Sequence, residues 1–396
     1  KLLFFSETQN IILFQVCLDS INCCLILYIA DQYRLKTFSK FFLMIMLITC
    51  LYTSNYSLKI MTETVYSFFI TLSLYIISNK NIISKYLFDI KVKHLLIFSL
   101  VLVLIVLTRP IFILTIIFFL IFSLIYIFFY ETKNLKDNIN KILIFGIFMS
   151  LIISPWSIRN ISNFGDDIFA KNSIATPIGY KTNYNMWKPF YLDEYKNFLK
   201  SYEEPFFMYS PIEPPIFAKY VYENEKEDVK KAFQKLNETP NIKKGKSGRQ
   251  LKYSQETKDS FNLITKKRYD EKPILYFTAP ISRIVKILFS PRISSFYEKK
   301  SGFNSSKLSL VLFSAYNFLY VFLGLFFFFS FKNFQTNKVL FIFIFSLIFS
   351  HVYAHTIWVP APQSRYLIPL FPIFALLTCI SVDSIYKNLV KKINVF

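Results

Sequence analysis

The chain has 396 residues, 54% hydrophobic and 19% aromatic, with 47 Phe against 7 Gly. Its formal net charge of +21 would suggest nucleic acid in a soluble protein, but no basic stripe interleaves with a recognisable nucleic-acid module. The apolar residues come in long uncharged runs, which excludes a water-soluble globule built on one shared core.

Taken in chain order, the runs predict membrane-spanning helices over 11–30, 41–56, 64–78, 95–107, 111–130, 142–156, 308–331, 339–355 and 366–386. The run IFILTIIFFLIFSLIYIFFY (111–130) is the clearest. At about 1.5 Å per residue it crosses a hydrocarbon layer of about 30 Å. The expected fold is therefore an all-α polytopic membrane protein of about nine transmembrane helices. Its organisation divides into six spans (1–157), a long outer loop (158–306) and three spans (307–396).

Within the loop, 216–236 and 273–289 read as amphipathic helices. The second of these suits the membrane interface. Residues 241–255 are polar, basic and expected to be mobile.

Orientation follows from Lys and Arg in the short connections. Segments 31–40, 79–93, 131–141, 332–338 and 387–392 hold nearly all of them, while the alternate connections hold Lys1, Lys59, Arg109 and Arg365. This places the C-terminus in the cytoplasm and the long loop outside. An odd span count then puts Lys1 outside, from which we expect at least one further span upstream.

Cys17, Cys23, Cys24, Cys50 and Cys379 all fall in apolar runs and read as packing residues, not as a disulfide framework or metal site. His351 and His355 have the spacing of two metal ligands on one helix face, but HVYAH brings no third ligand, and no metal is assigned. The solvated pair Asp166 and Asp167 is a weak divalent-ion candidate. Asn160, Asn237 and Asn304 stand in glycosylation sequons that an Asn-rich chain produces by chance. Trp156, Trp187 and Trp358 suit interfacial anchoring or sugar stacking on the outer side. Asp19 and Asn22 are polar groups deep in the first span, where packing against other helices is the default reading.

The informative polar residues sit at the outer ends of spans. They are Glu63 in MTETVYSF, Arg109 in LTRPIF, Arg159 with Asn160 in SPWSIRNISNFG, and Gln363, Arg365 and Tyr366 in PAPQSRYLIPLFP. An arginine at a span end is commonly an interfacial anchor, and Glu63 could cap its own helix behind Thr62. These arginines, however, break the positive-inside pattern and stand near Pro110, Pro155 and Pro369. A proline there frees backbone groups that must be satisfied in protein or in a wet cavity. Converging arginines would bind a phosphate, since the planar guanidinium holds two phosphate oxygens at once.

These segments resemble a family. MTETVYSFFITLSLY, LTRP, SPWSIRNISNFG and QSRYLIPLFPIFALL are similar, in order, to segments of the GT-C membrane glycosyltransferases of the dolichyl-phosphate-mannose-protein mannosyltransferase type, which form glycosyltransferase family 39 with their aminoarabinose-transferase relatives. SPWSIRNISNFG is the most specific match. The resemblance implies a GT-C-like fold and inverting transfer of a sugar from a polyprenyl-phosphate donor to an extracytoplasmic acceptor. It needs no evident cofactor, and the partners are the lipid-linked donor and membrane lipid, with no nucleic acid.

On that reading Arg365, Arg159 and Arg109 bind the donor phosphate, with Glu63, Asn160, Gln363, Tyr366 and His355 supporting. The family's catalytic acidic residue follows its first span, ahead of residue 1 of this chain, so no catalytic base is assigned here. A lipid-linked saccharide flippase, or a polysaccharide ligase or polymerase, is the alternative class. Transporters should show internal repeats and midplane charges; no repeat stands out here, and Asp19 is read as a packing residue. Heavy use of Lys, Ile, Phe and Asn fits an AT-rich genome and hence a bacterial inner membrane.

Overall fold

The computed structural model describes residues 7–50, 57, 62–79, 92–130, 135–164, 338–354, 356 and 364–393, with scattered single positions between 227 and 284. The described elements are helical throughout. They are α1 (Glu7–Gln32), α2 (Thr37–Ile48), α3 (Thr62–Ser78), α4 (Val92–Thr108), a 3₁₀ turn (Pro110–Phe112), α5 (Ile113–Tyr130), α6 (Leu135–Phe164), α7 (Lys338–Tyr353), a second 3₁₀ segment (Ser364–Leu370) and α8 (Phe371–Ile393).

Four stretches among these are long and apolar enough to cross a membrane: Gln9–Gln32, Ile113–Tyr130, Leu135–Arg159 and Leu367–Lys387. Thr37–Ile48, Lys93–Thr108 and Lys338–Tyr353 are shorter apolar helices. The chain is an integral membrane protein. The helix expected over 41–56 ends at Ile48, where Thr49 leaves helical geometry and its hydroxyl turns back to the Ile45 carbonyl at 2.8 Å. The span expected over 308–331, the amphipathic helices of the loop and the polar stretch 241–255 lie outside the described residues, apart from isolated helical positions such as Lys231 and Ile281.

Two compact units divide the chain. The first comprises Lys1–Pro155, Ile287–Val352 and Gln363–Phe396; the second comprises Trp156–Lys286 and Tyr353–Pro362. The division falls inside α6 at Pro155. A proline within a helix removes one backbone hydrogen bond and clashes with the preceding turn.

In the first unit, α8 is buried along most of its length, whereas α1, α5 and α6 keep broad apolar faces exposed. The core between α4, α5, α6 and α7 is a cluster of phenylalanines. Phe98 packs on Phe119, Phe145 and Phe343 with ring centroids 6.4, 5.9 and 5.8 Å apart, and Phe119 meets Phe343 at 5.5 Å. Lipid tails are as apolar as these side chains, so the hydrophobic effect does not drive such helices together. Interlocking rings, three pairs edge-to-face and Phe98–Phe145 stacked, supply part of the attraction, about 0.5–1.5 kcal/mol per pair.

Two joints show how the polar ends are satisfied. Helix α1 stops in a Schellman arrangement: Arg34 N–H donates to Asp31 O at 2.8 Å and Leu35 N–H to Ala30 O at 3.4 Å. The turn requires a left-handed residue, and Arg34 occupies that place with φ 51°. Its side chain is exposed, while Leu35 is buried. A Cβ in this conformation costs about 1 kcal/mol. Arg34→Gly is therefore expected to raise stability by about 1 kcal/mol, read as a shift in the unfolding midpoint in mixed micelles.

Helix α2 lacks a side-chain cap of its own at Lys36. Asp383 of α8 provides it from a distance in sequence. Its Oδ1 accepts from Lys36 N–H at 2.9 Å and from the Ser39 hydroxyl at 3.1 Å, and its Oδ2 lies 2.5 Å from Lys387 Nζ. The arrangement pins α2 to α8.

Candidate functional site

The site grows from the corner between α4 and α5. The Thr108 hydroxyl bonds back to Leu104 O at 2.7 Å, and Arg109 N–H still reaches Ile105 O at 2.8 Å. Pro110 then ends the helix, because its ring disfavours helical geometry in the residue before it. A 3₁₀ turn follows, closed by Phe112 N–H to Arg109 O at 3.0 Å. Arg109 is thus fixed at the corner, and its side chain lies across the start of α3.

There its Nη2 meets Glu63 Oε1 at 2.5 Å, while Nε donates to the Thr62 hydroxyl at 3.3 Å. The Glu63 side chain is 8% exposed and that of Arg109 17%, so the pair is shielded on both sides. The Arg109 guanidinium also stands over the Tyr66 ring, 5.4 Å from its centroid. A cation over an aromatic face is attracted by the ring quadrupole.

Tyr66 carries the network inward. Its hydroxyl lies 2.9 Å from His351 Nε2, and His351 Nδ1 lies 2.8 Å from Leu347 O. A carbonyl only accepts, so Nδ1 holds the hydrogen; in the neutral ring Nε2 then accepts from the tyrosine. Both ring nitrogens of His351 are engaged by protein, which leaves neither for a metal. Next to it the Ser350 hydroxyl donates to Leu347 O at 3.0 Å, and the Thr115 hydroxyl stands 2.6 Å from Ser350 Oγ. Since Ser350 spends its hydrogen on the carbonyl, Thr115 is the donor between them.

The segment bearing Arg365 is also tied to α3. Ser67, one turn beyond Glu63, donates to Pro369 O of the second 3₁₀ segment at 3.0 Å, and Asn22 Nδ2 donates to Ser67 Oγ at 3.2 Å. Three of the four segments singled out in the sequence (around Glu63, Arg109 and Arg365) therefore attach to one helix, α3, within one compact unit.

Arg159 belongs to the second unit, where its guanidinium stands over the Trp156 ring at 5.3 Å from the centroid. Asn160 lies in α6, and Arg365 and Tyr366 in the second 3₁₀ segment. Gln363 and His355 lie outside the described residues, as do Asp166 and Asp167. Among the described residues no group of three His, Cys, Asp or Glu side chains could hold a metal ion.

Sequence reasoning did not single out Tyr66, or the tie between Tyr66 and His351. One signal was present: Tyr66 follows Glu63 by three residues, which puts both on one face of α3. No family model matches the chain, and neither a curated protein nor a solved structure matches it.

Proposed function

We propose that this protein is a membrane glycosyltransferase that moves a sugar from a polyprenyl-phosphate donor to an acceptor on the extracytoplasmic side of a bacterial inner membrane. The observation that carries the reading is the buried Glu63–Arg109 pair. It joins the MTETVYSF and LTRP segments, each of which resembles a segment of the GT-C transferases.

The chemistry sorts the residues. As the bond from the sugar's anomeric carbon to the phosphate oxygen breaks, its electron pair stays on the phosphate. Inverting transfer brings the acceptor oxygen to the opposite face. A guanidinium beside the leaving phosphate stabilises charge that develops only in the transition state. Arg109 shares its charge with Glu63 and is therefore the weaker anion partner, acting to shape the rim of the site. Arg365 is the principal phosphate ligand. Glu63 orients Arg109, and buried ion pairs of this kind hold geometry at least as much as they add stability.

The test is transfer from radiolabelled polyprenyl-phosphate hexoses and pentoses, presented as a panel to the full-length protein in native membranes. Arg365→Ala should lower transfer at least about 100-fold while membrane insertion is unchanged. Arg365→Lys should recover only part of it, because a point charge replaces a two-pronged donor. Transfer unaffected by Arg365→Ala would remove the phosphate assignment. No transfer from any member of the panel by the unaltered protein would remove the reading itself.

A further inference from the structure

Helix α1 carries a carboxylate whose position calls for an explanation that the transferase reading does not supply. Asp19 is the eleventh residue of the membrane-length stretch Gln9–Gln32. At about 1.5 Å per residue it lies about 15 Å from one end and about 20 Å from the other. Lys and Arg can reach the interface from such depths by their long stems, but a carboxylate on one methylene cannot. Among the described residues nothing hydrogen-bonds to Asp19 or offsets its charge.

The surroundings of Asp19 have a direction. One row of α1 (Gln15, Leu18, Asn22, Ile26 and Ile29) is buried. Its Asn22 bonds to Ser67, which fixes this row against α3. The opposite row (Phe14, Cys17, Ile21, Cys24 and Tyr28) is exposed. Between them Ile12, Val16, Asp19, Cys23 and Leu27 are all half-buried. Their spacing of four, three, four and four residues is that of a helix-packing seam. The central three are Val16, Asp19 and Cys23, small enough to let another backbone come close.

We propose that this seam docks a transmembrane helix of another protein bearing a Lys or Arg at mid-depth. Charge complementarity selects that occupant. Lipid offers nothing to a mid-depth carboxylate, and the described spans of this chain carry no Lys or Arg at mid-depth, so a second copy brings no opposite charge from them. An ionisable group inside the bilayer is costly unless paired. A partner cation within hydrogen-bond reach of Asp19 removes that cost for both helices at once.

The probe is a Leu/Ala-rich peptide of roughly 24 residues with one central Lys, and its twin with Leu in that place. Each is reconstituted with the full chain in phosphatidylcholine vesicles, and association is followed by energy transfer. The Lys peptide should bind about tenfold more tightly than the Leu peptide. Asp19→Asn, which preserves shape, should abolish that preference. Val16→Trp, which fills the seam and leaves the carboxylate, should weaken the Lys peptide as well. Equal binding of the two peptides would overturn the proposal, as would a preference that survives Asp19→Asn. Energy transfer between copies of the chain that Asp19→Asn removes would also overturn it, by giving the seam to a second copy.

Discussion

Glu63→Gln is expected to lower stability by about 3 kcal/mol, because it leaves the Arg109 guanidinium shielded from water without its counter-charge. The pair sits 2.5 Å apart, and the other contacts of Arg109, the Tyr66 ring face and a long bond from Nε to the exposed Thr62 hydroxyl, bring no full negative charge. Removing both charges should cost much less than removing one. Glu63→Gln combined with Arg109→Met should therefore recover most of the loss, since a neutral, packed pair carries no buried charge. A double-mutant cycle read from unfolding in mixed micelles checks this, with a coupling of at least about 1.5 kcal/mol expected. If Glu63→Gln costs the same with Arg109 present or replaced, the two residues do not form the unit described. In the transfer assay, Arg109→Met should reduce activity less than Arg365→Ala does, because the Arg109 charge is already spent on Glu63.

The second large effect lies in the phenylalanine cluster. Phe343 is fully buried and meets Phe98, Phe112 and Phe119 at 5.8, 6.5 and 5.5 Å, so one ring joins α7 to α4, to the turn after it and to α5. Phe343→Ala should destabilise the protein by about 4 kcal/mol through lost contacts and the cavity left behind. Phe129→Ala is the control: that residue is 76% exposed near the end of α5, and its loss should cost under about 1 kcal/mol. Similar losses for the two would show that the cluster is not what holds these helices together. The cluster also lies behind the site. Phe112 stacks edge-on to Tyr66 at 6.0 Å, so loosening the core should disturb the platform under Arg109 as well.

Several features could be read directly from the order of residues. A run such as 111–130 needs only a bilayer to become a helix, because each backbone group can be satisfied within the segment. The corner at Pro110 was equally legible, since proline restricts the residue before it wherever it stands. The helix expected over 41–56 shows the limit. The run of strongly apolar residues gives way to TCLYTSNYS, and the helix ends at Ile48 with Thr49 as its C-cap. Composition reports the solvent a segment prefers and is a poor guide to the residue at which a helix ends.

Glu63 could be read in the sequence either as a helix cap or as a charge in search of a partner, and nothing local separates the two. The choice was made by Arg109, 46 positions further on, once α3 and α4 lay side by side. Tyr66 and His351 are separated by 285 residues, and Asp383 and the Lys36 amide by 347. None of these pairs leaves a periodic or compositional trace, because each depends on which helices become neighbours.

The sequence by itself determined that this is a membrane protein and which segments carry its unusual charges, because hydropathy and span-end arginines are properties of single segments facing a uniform solvent. Only the tertiary structure decided that Glu63 neutralises Arg109, that Tyr66 and His351 stand behind them, and that Asp19 lies in a half-buried row of α1. A charge in a low-dielectric setting takes its meaning from the partner within a few ångströms, and that partner is fixed by helix packing.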